Sequence, residues 1–296
     1  MASRHHRSRR TNHVAGVGGM IAALALTAAA ADPIVSILEK DGNPKMQPGS
    51  PPPYLDVLEK IGLIVGYPSA ERAAPLSWEV MRRYNMLVVI RPPQQHGYTV
   101  LSDEAAKEQS ELLDRFLAEG GAILVFAGVH IGDTVKEHEQ LNEWLKKYDV
   151  QFDWAIVDDD AHTFKNPPPV PWQRAEYMWT TNMAESPATK GVKTLFIPHD
   201  MFWVPSVRPV QGGNDWQVLV RSEATAKTSG LSLPLGGQLP VRQEGSAKTG
   251  AAPLLAVRQA GKGRLAVCGL QASALWCDLG KPAGAQVASV RGDGER

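Results

Sequence analysis

Cysteine is nearly missing from this chain: two residues in 296, Cys268 and Cys277, and no CxxC pair that would hold zinc or run thioredoxin-type exchange. Net charge is missing too, because 31 basic and 31 acidic side chains cancel, so there is no electrostatic footprint for nucleic acid. No Gly-x-Ser-x-Gly occurs, and neither cysteine has a Gly-x-Cys-x-Gly setting. The strained strand-to-helix elbow that presents a catalytic nucleophile therefore has no occupant. Internal repeats are also absent. Only one apolar stretch approaches membrane-spanning length, and it lies at the N-terminus.

That stretch has the parts of an export signal. Arg4, Arg7, Arg9 and Arg10 form a basic region, Val14 to Leu26 an apolar one, and Thr27 to Ala31 the small residues before a cleavage point at Asp32. Residues 1–31 are expected to be a signal peptide, and the chain is expected to act in a periplasmic or extracellular space. If the segment stays uncut it anchors the protein instead, and this is the sole membrane contact the sequence offers. Export gives the cysteines two readings. Nine positions apart, they permit a bridge. Cys268 inside LAVCGL equally reads as a small buried hydrophobe, which we favour.

What the chain does have is alternation. PIVSIL (Pro33 to Leu38), LIVGY (Leu63 to Tyr67), MLVVI (Met86 to Ile90) and AILVF (Ala122 to Phe126) are short apolar runs that read as buried strands. Between them lie helical patterns: Tyr54 to Gly62, a short one from Trp78 to Tyr84, and one that Ser102 caps and Gly120-Gly121 stops. A further helix is expected from Glu137 to Tyr148, and VQFDWAIV (Val150 to Val157) reads as one strand. Strands this apolar need cover on both faces, which predicts an α/β fold with a parallel sheet between helices.

Beyond Asp158 the texture becomes irregular and β-rich. TLFIP (Thr194 to Pro198), WQVLV (Trp216 to Val220), PLLAVRQ (Pro253 to Gln259) and RLAVCGL (Arg264 to Leu270) are β-like, the last two joined by a hairpin turn at Ala260 to Gly263. Ala161 to Pro171 and Ser229 to Gly250 read as loops, and residues 271–296 as a disordered tail. One domain is expected over residues 32–270.

Three segments carry a resemblance: YNMLVVIRPP followed by LSDEAAKEQSELLDRFLAEGGAILVFAG, then ESPATKGVKTLFIP, then LLAVRQAGKGRLAVCG. Together they resemble the class I glutamine-amidotransferase-like superfamily in its non-amidotransferase branches. These include trehalose-utilisation-type proteins, β-galactosidase trimerisation domains and uncharacterised exported bacterial proteins. The resemblance implies a flavodoxin-like sheet with ligands at the carboxyl ends of its strands. It also implies an interest in His130, because trehalose-utilisation-type relatives place a histidine after that strand. The chain departs from the enzymes of the group in lacking their nucleophile.

Candidate ligand-contacting residues are Gly128 and His130 in the loop after AILVF, and His199-Asp200 after TLFIP. Asp158, Asp159 and Asp160 with His162 nearby lack the alternating spacing and turn glycine of a calcium loop, so no metal is assigned, nor any cofactor. Gly261-Lys262-Gly263 reads as a turn rather than a phosphate loop. Of eight tryptophans, including Trp154, Trp172, Trp179, Trp203 and Trp216, most are expected in the core, although indole faces also suit sugars. The sequence thus fits a module binding carbohydrate or a protein partner without nucleophilic catalysis. It leaves open a sugar-active hydrolase or isomerase with His130 as acid–base residue, and an oligomerisation domain.

Overall fold

The computed structural model describes residues 34–38, 64–66, 77–90, 101–129, 134–166, 175–201, 204–205, 207–232 and 241–270. The expected signal segment, the helix over Tyr54 to Gly62, His130, Trp172, Trp203, Cys277 and the tail lie outside these residues.

Along the first half run β1 (Ile34–Leu38), β2 (Ile64–Gly66), α1 (Trp78–Met81), β3 (Met86–Ile90), α2 (Asp103–Ala118), β4 (Ala122–Phe126) and α3 (Val135–Lys146). Then come β5 (Val150–Phe152), β6 (Ala155–Asp158), a 3-10 turn at Asp160–His162, β7 (Thr163–Asn166), β8 (Ala175–Thr180), β9 (Leu195–Met201) and β10 (Val204–Pro205). The remainder is β11 (Val210–Gly212), β12 (Gln217–Arg221), β13 (Lys227–Ser232), β14 (Val241–Arg242), β15 (Lys248–Thr249), β16 (Pro253–Ala260) and β17 (Gly263–Cys268).

Seven strands form the central sheet in the order β12-β16-β17-β4-β3-β1-β2. β2, β1, β3, β4 and β17 are mutually parallel, and β3 pairs with β4 from Met86 opposite Ala122 to Ile90 opposite Phe126. β16 and β12 are antiparallel, so the sheet is mixed rather than purely parallel. The β16–β17 hairpin closes at Ala260 and Gly263 as its sequence predicts, with Gly261 at φ +62 supplying the left-handed residue of the turn.

The helices form where their caps and stripes dictate. The Ser102 hydroxyl accepts from the Ala105 amide at 3.2 Å, and Thr134 and Glu137 make a reciprocal capping box for α3. Leu113, Phe116 and Leu117 on α2, and Leu141, Trp144 and Leu145 on α3, lie at helical spacing and are buried. They cover Leu87, Val89, Ile123, Val125, Leu265 and Val267, one face of the sheet. The alternate residues Met86, Val88, Leu124, Phe126, Ala266 and Cys268 pack on Met178, Leu195, Ile197, Leu219 and Ala226. Among the described residues, then, helices cover one face and the β-rich half supplies apolar cover for the other. Expecting helices on both faces overlooked that an apolar face is satisfied equally by strands whose own alternation turns Met, Leu and Ile toward it.

Two further expectations are corrected. Val150 to Val157 is not one strand: the chain breaks at Asp153 and Trp154, where β5 joins β11 and β6 joins β13. The break is fixed by partners on different segments, since Asp153 N–H donates to the Pro209 carbonyl and the Trp154 carbonyl accepts from Leu231 N–H. The supposed loops also hold β7 and β13 to β15, and β8 arises where no strand was expected. Among the described residues no helix is long and apolar enough to cross a membrane.

Cys268 is a free thiol, 1% exposed in the core. Burial pushes its pKa up from 9.0 to about 12, roughly a thousandfold less thiolate at neutral pH. In a Cys277→Ser chain, a disulfide reagent should therefore leave native protein unlabelled over hours and label one thiol at once in denaturant. Native-state labelling at the rate of a free thiol would contradict this placement.

Candidate functional site

At the carboxyl ends of β4 and β17 the parallel pairing continues past the strands. Ala127 N–H donates to the Cys268 carbonyl and Gly128 N–H to the Leu270 carbonyl, each at 2.9 Å. Gly128 is buried and its amide is already used. His199 and Asp200 sit on β9, in a separate four-stranded sheet ordered β10-β9-β8-β7, where Asp200 lies opposite Glu176. Gly128 and the His199–Asp200 pair therefore belong to different sheets. Across the end of β17 runs Arg208, only 2% exposed, whose N–H donates to the Gly269 carbonyl at 2.8 Å. Its guanidinium lies 4.9 Å from the Trp154 ring and 3.0 Å from His138 Nδ1, forming a packed polar cap over this edge.

The acidic run diverges instead of converging. Arg242 grips Asp158 with two nitrogens at 3.0 and 2.8 Å, while Asp160 is exposed, 3.9 Å from Lys227 Nζ. Asp159 turns inward to 2% exposure. Its carboxylate caps the 3-10 turn by accepting from Ala161 N–H at 3.1 Å, and meets His162 Nδ1 at 3.0 Å. The Thr225 hydroxyl lies 2.9 and 2.8 Å from its two oxygens and 2.9 Å from that same Nδ1.

This triangle fixes the imidazole. A hydroxyl has one proton, and an ionised carboxylate can only accept, so Thr225 donates to Asp159 and accepts from His162. Nδ1 therefore carries the ring proton and is shared between Asp159 and Thr225, and in the neutral ring Nε2 is the lone-pair nitrogen. No hydrogen-bond partner for Nε2 occurs among the described residues. The Trp179 ring stands edge-on to this imidazole with centroids 4.4 Å apart.

Glu223 completes the group. Its Oε1 accepts from Thr181 N–H at 2.6 Å and from the Thr181 hydroxyl at 2.9 Å, and lies 3.1 Å from the Thr180 hydroxyl. No partner for Oε2 occurs among the described residues. The Thr181 N–H, offset in part by desolvation, holds the Glu223 carboxyl below its ordinary value of 4.5, with the Thr181 and Thr180 hydroxyls and the nearby His162 helping. A lowered carboxylate stabilises the folded state fully above 4.5, and that contribution is lost as pH falls through the depressed value. Wild type should accordingly lose stability relative to Glu223→Gln only on acidification below 4.5, as urea midpoints at stepped pH would show. A constant difference from pH 7 to pH 3 would refute the linkage.

Three segments build this cluster: the turn after β6, the end of β8, and the β12–β13 connection. The Asp-x-x-His spacing of Asp159 and His162 is visible in sequence. Thr225 and Glu223 carry no such signal, because tertiary folding alone brings them near. Chemically the cluster presents an ionised carboxylate oxygen, a lone-pair nitrogen with a fixed tautomer, and a half-buried indole. Among the described residues it holds no activated nucleophile, since the Thr225 hydroxyl that touches His162 spends its proton on Asp159. Among the described residues no three His, Cys, Asp or Glu side chains converge to hold a metal ion.

No family model and no curated protein matches the chain. It is similar in structure to the mmIFT52 N-terminal domain, with a TM-score of 0.46 and 13% identity over 86% of this chain and 94% of that one. A ThuA-like protein from Bacteroides uniformis aligns at 0.33 and 11%, over 83% and 87% of the two chains. The β-galactosidase from Bacillus circulans sp. alkalophilus aligns at 0.35 and 11% over 90% of this chain, which spans only 32% of that enzyme. Likenesses this weak assign neither a family nor a function.

Proposed function

We propose that the chain is a carbohydrate-binding module on a flavodoxin-like sheet, acting after export, with Trp179, His162 and Glu223 as its sugar contact. The observation that carries the proposal is the grouping of an imidazole locked through Nδ1 by buried Asp159, the Trp179 ring 4.4 Å from it and the nearby Glu223 carboxylate. Sugar hydroxyls are donors, an ionised carboxylate takes them strongly, and an indole suits the C–H faces between them. The parallel order β2-β1-β3-β4-β17 supports the flavodoxin-like part of the proposal, and the basic-then-apolar N-terminus supports export. The Gly128–His130 loop and the His199–Asp200 pair remain proposed as additional contacts.

The test is a glycan array probed with the mature chain, followed by titration of any hit with Trp179→Ala and Glu223→Gln. A tenfold or greater loss in both, with unchanged circular dichroism, is expected. Silence across the array, or full binding by Trp179→Ala, would overturn the proposal. Loss in His130→Ala with Trp179→Ala unaffected would transfer the contact to the loop after β4.

A further inference from the structure

The charges around Trp179, His162 and Glu223 select among sugars, given the reading of that group as a sugar contact. Of the neighbouring carboxylates, Asp158 is matched by two nitrogens of Arg242 and Asp160 by Lys227 Nζ at 3.9 Å. Asp159 and Glu223 meet no lysine or arginine among the described residues. Asp159 is held by the Thr225 hydroxyl, the Ala161 N–H and the imidazole, and Glu223 by the Thr181 N–H and hydroxyl. Two carboxylates against at most one imidazolium leave the group negative in either state of the ring.

Glu223 is the more accessible of the two, half-buried where Asp159 is 2% exposed. Its donors belong to Thr181, two residues along the chain from half-buried Trp179. His162 links the two side chains, since it helps to hold the Glu223 carboxyl below its ordinary value and stands 4.4 Å from the Trp179 ring. An indole face attracts a cation, and an ionised carboxylate beside it accepts a charge-assisted hydrogen bond from an ammonium. A hydroxyl placed there leaves the negative charge of the group uncompensated, and a uronic acid adds repulsion. A protonated amine on a sugar ring answers the carboxylate, the indole and the net charge together.

We propose that this group takes amino sugars in their ammonium form, the amine on Glu223 and the C–H face of the ring against Trp179. Three β-1,4-linked hexamers that share one skeleton are the probes: cellohexaose, the N-acetylglucosamine hexamer and the fully deacetylated glucosamine hexamer. Calorimetric titration at about pH 6 keeps the Glu223 carboxylate and the sugar amines charged. The glucosamine hexamer should bind at least fivefold more tightly than the other two, a preference that shrinks as salt rises from about 0.01 to about 0.3 M. Glu223→Gln should bring the three affinities within about twofold of one another. Asp160→Asn, which removes an exposed charge outside the contact, should leave the preference intact. Equal binding of the three by wild type, a preference that survives Glu223→Gln, or one that disappears in Asp160→Asn overturns the amine assignment and leaves the sugar contact standing. Silence of all three hexamers with hits elsewhere on a glycan array does the same. Silence across the whole array overturns both.

Discussion

Asp159→Ala is expected to destabilise the protein by about 2 kcal/mol, although the residue lies outside the hydrophobic clusters. The carboxylate is 2% exposed and accepts from Thr225, His162 and Ala161. Truncation removes the acceptor these donors share, although Thr225 and Ala161 are exposed and His162 is half-buried, so water replaces part of it. An unsatisfied buried donor costs about 1–3 kcal/mol, and here the Thr225 hydroxyl loses its carboxylate while His162 Nδ1–H keeps only Thr225, which sets the estimate inside that range. Asp159→Asn should cost about half as much, since one amide oxygen still accepts while the NH2 confronts existing donors. Urea unfolding followed by circular dichroism measures both. Near-wild-type midpoints for Asp159→Ala would mean that the triangle with Thr225 and His162 contributes nothing to stability. The same variant frees the imidazole to change tautomer, so any sugar affinity routed through Nε2 should fall with it, more steeply than in Asp160→Ala, whose carboxylate is exposed.

The first half of the fold was legible because local signals there coincide with tertiary demands. Met86 to Ile90 and Ala122 to Phe126 are apolar at every position, and Met86 to Val89 and Ala122 to Phe126 are buried on both faces, so no partner needed to be known before they could be identified as strands. Ser102 caps a helix whose stripe agrees with its final packing, while the cap at Thr134 starts the next helix at Val135, ahead of the expected Glu137. The second half hides its strands. AEYMWT in β8 alternates, with Glu176, Met178 and Thr180 buried between half-buried Tyr177 and Trp179, but its inward set includes a carboxylate and a hydroxyl. Hydropathy cannot register such a pattern. Thr180 faces inward because its hydroxyl donates to the Arg221 carbonyl at 2.8 Å, a partner 41 residues away. The candidate cluster is illegible for the same reason: Asp159 and Thr225 meet across 66 residues of sequence. The acidic run attracted attention as a possible cation site, yet its importance lies in one buried member facing away from the others.

Gly269→Ala is expected to cost about 3 kcal/mol through space alone, because this glycine's φ lies outside the left-handed region. A Cβ at Gly269 would overlap the carbonyl oxygen of Arg208 and stand 2.9 Å from its carbon, both of them backbone. The obstructing segment cannot step aside cheaply. The Val207 carbonyl accepts from Val157 N–H at 2.8 Å, the Pro209 carbonyl from Asp153 N–H at 3.4 Å, and Arg208 N–H is bound to Gly269 itself. Gly269 N–H is in turn tied to the Leu254 carbonyl at 2.9 Å, so retreat on that side pulls β17 from its neighbour. Gly245→Ala is the matched control: its φ of +71 imposes backbone strain of about 1 kcal/mol, but no atom lies within 4 Å of the new methyl. If Gly269→Ala proves no worse than Gly245→Ala in urea, the chain at Arg208 is not clamped onto the end of β17. If it is far worse, and Gly269→Ser worse again, the carboxyl edge of this sheet is closed by main chain packed on main chain. Only a residue without a side chain then allows Arg208 to lie there.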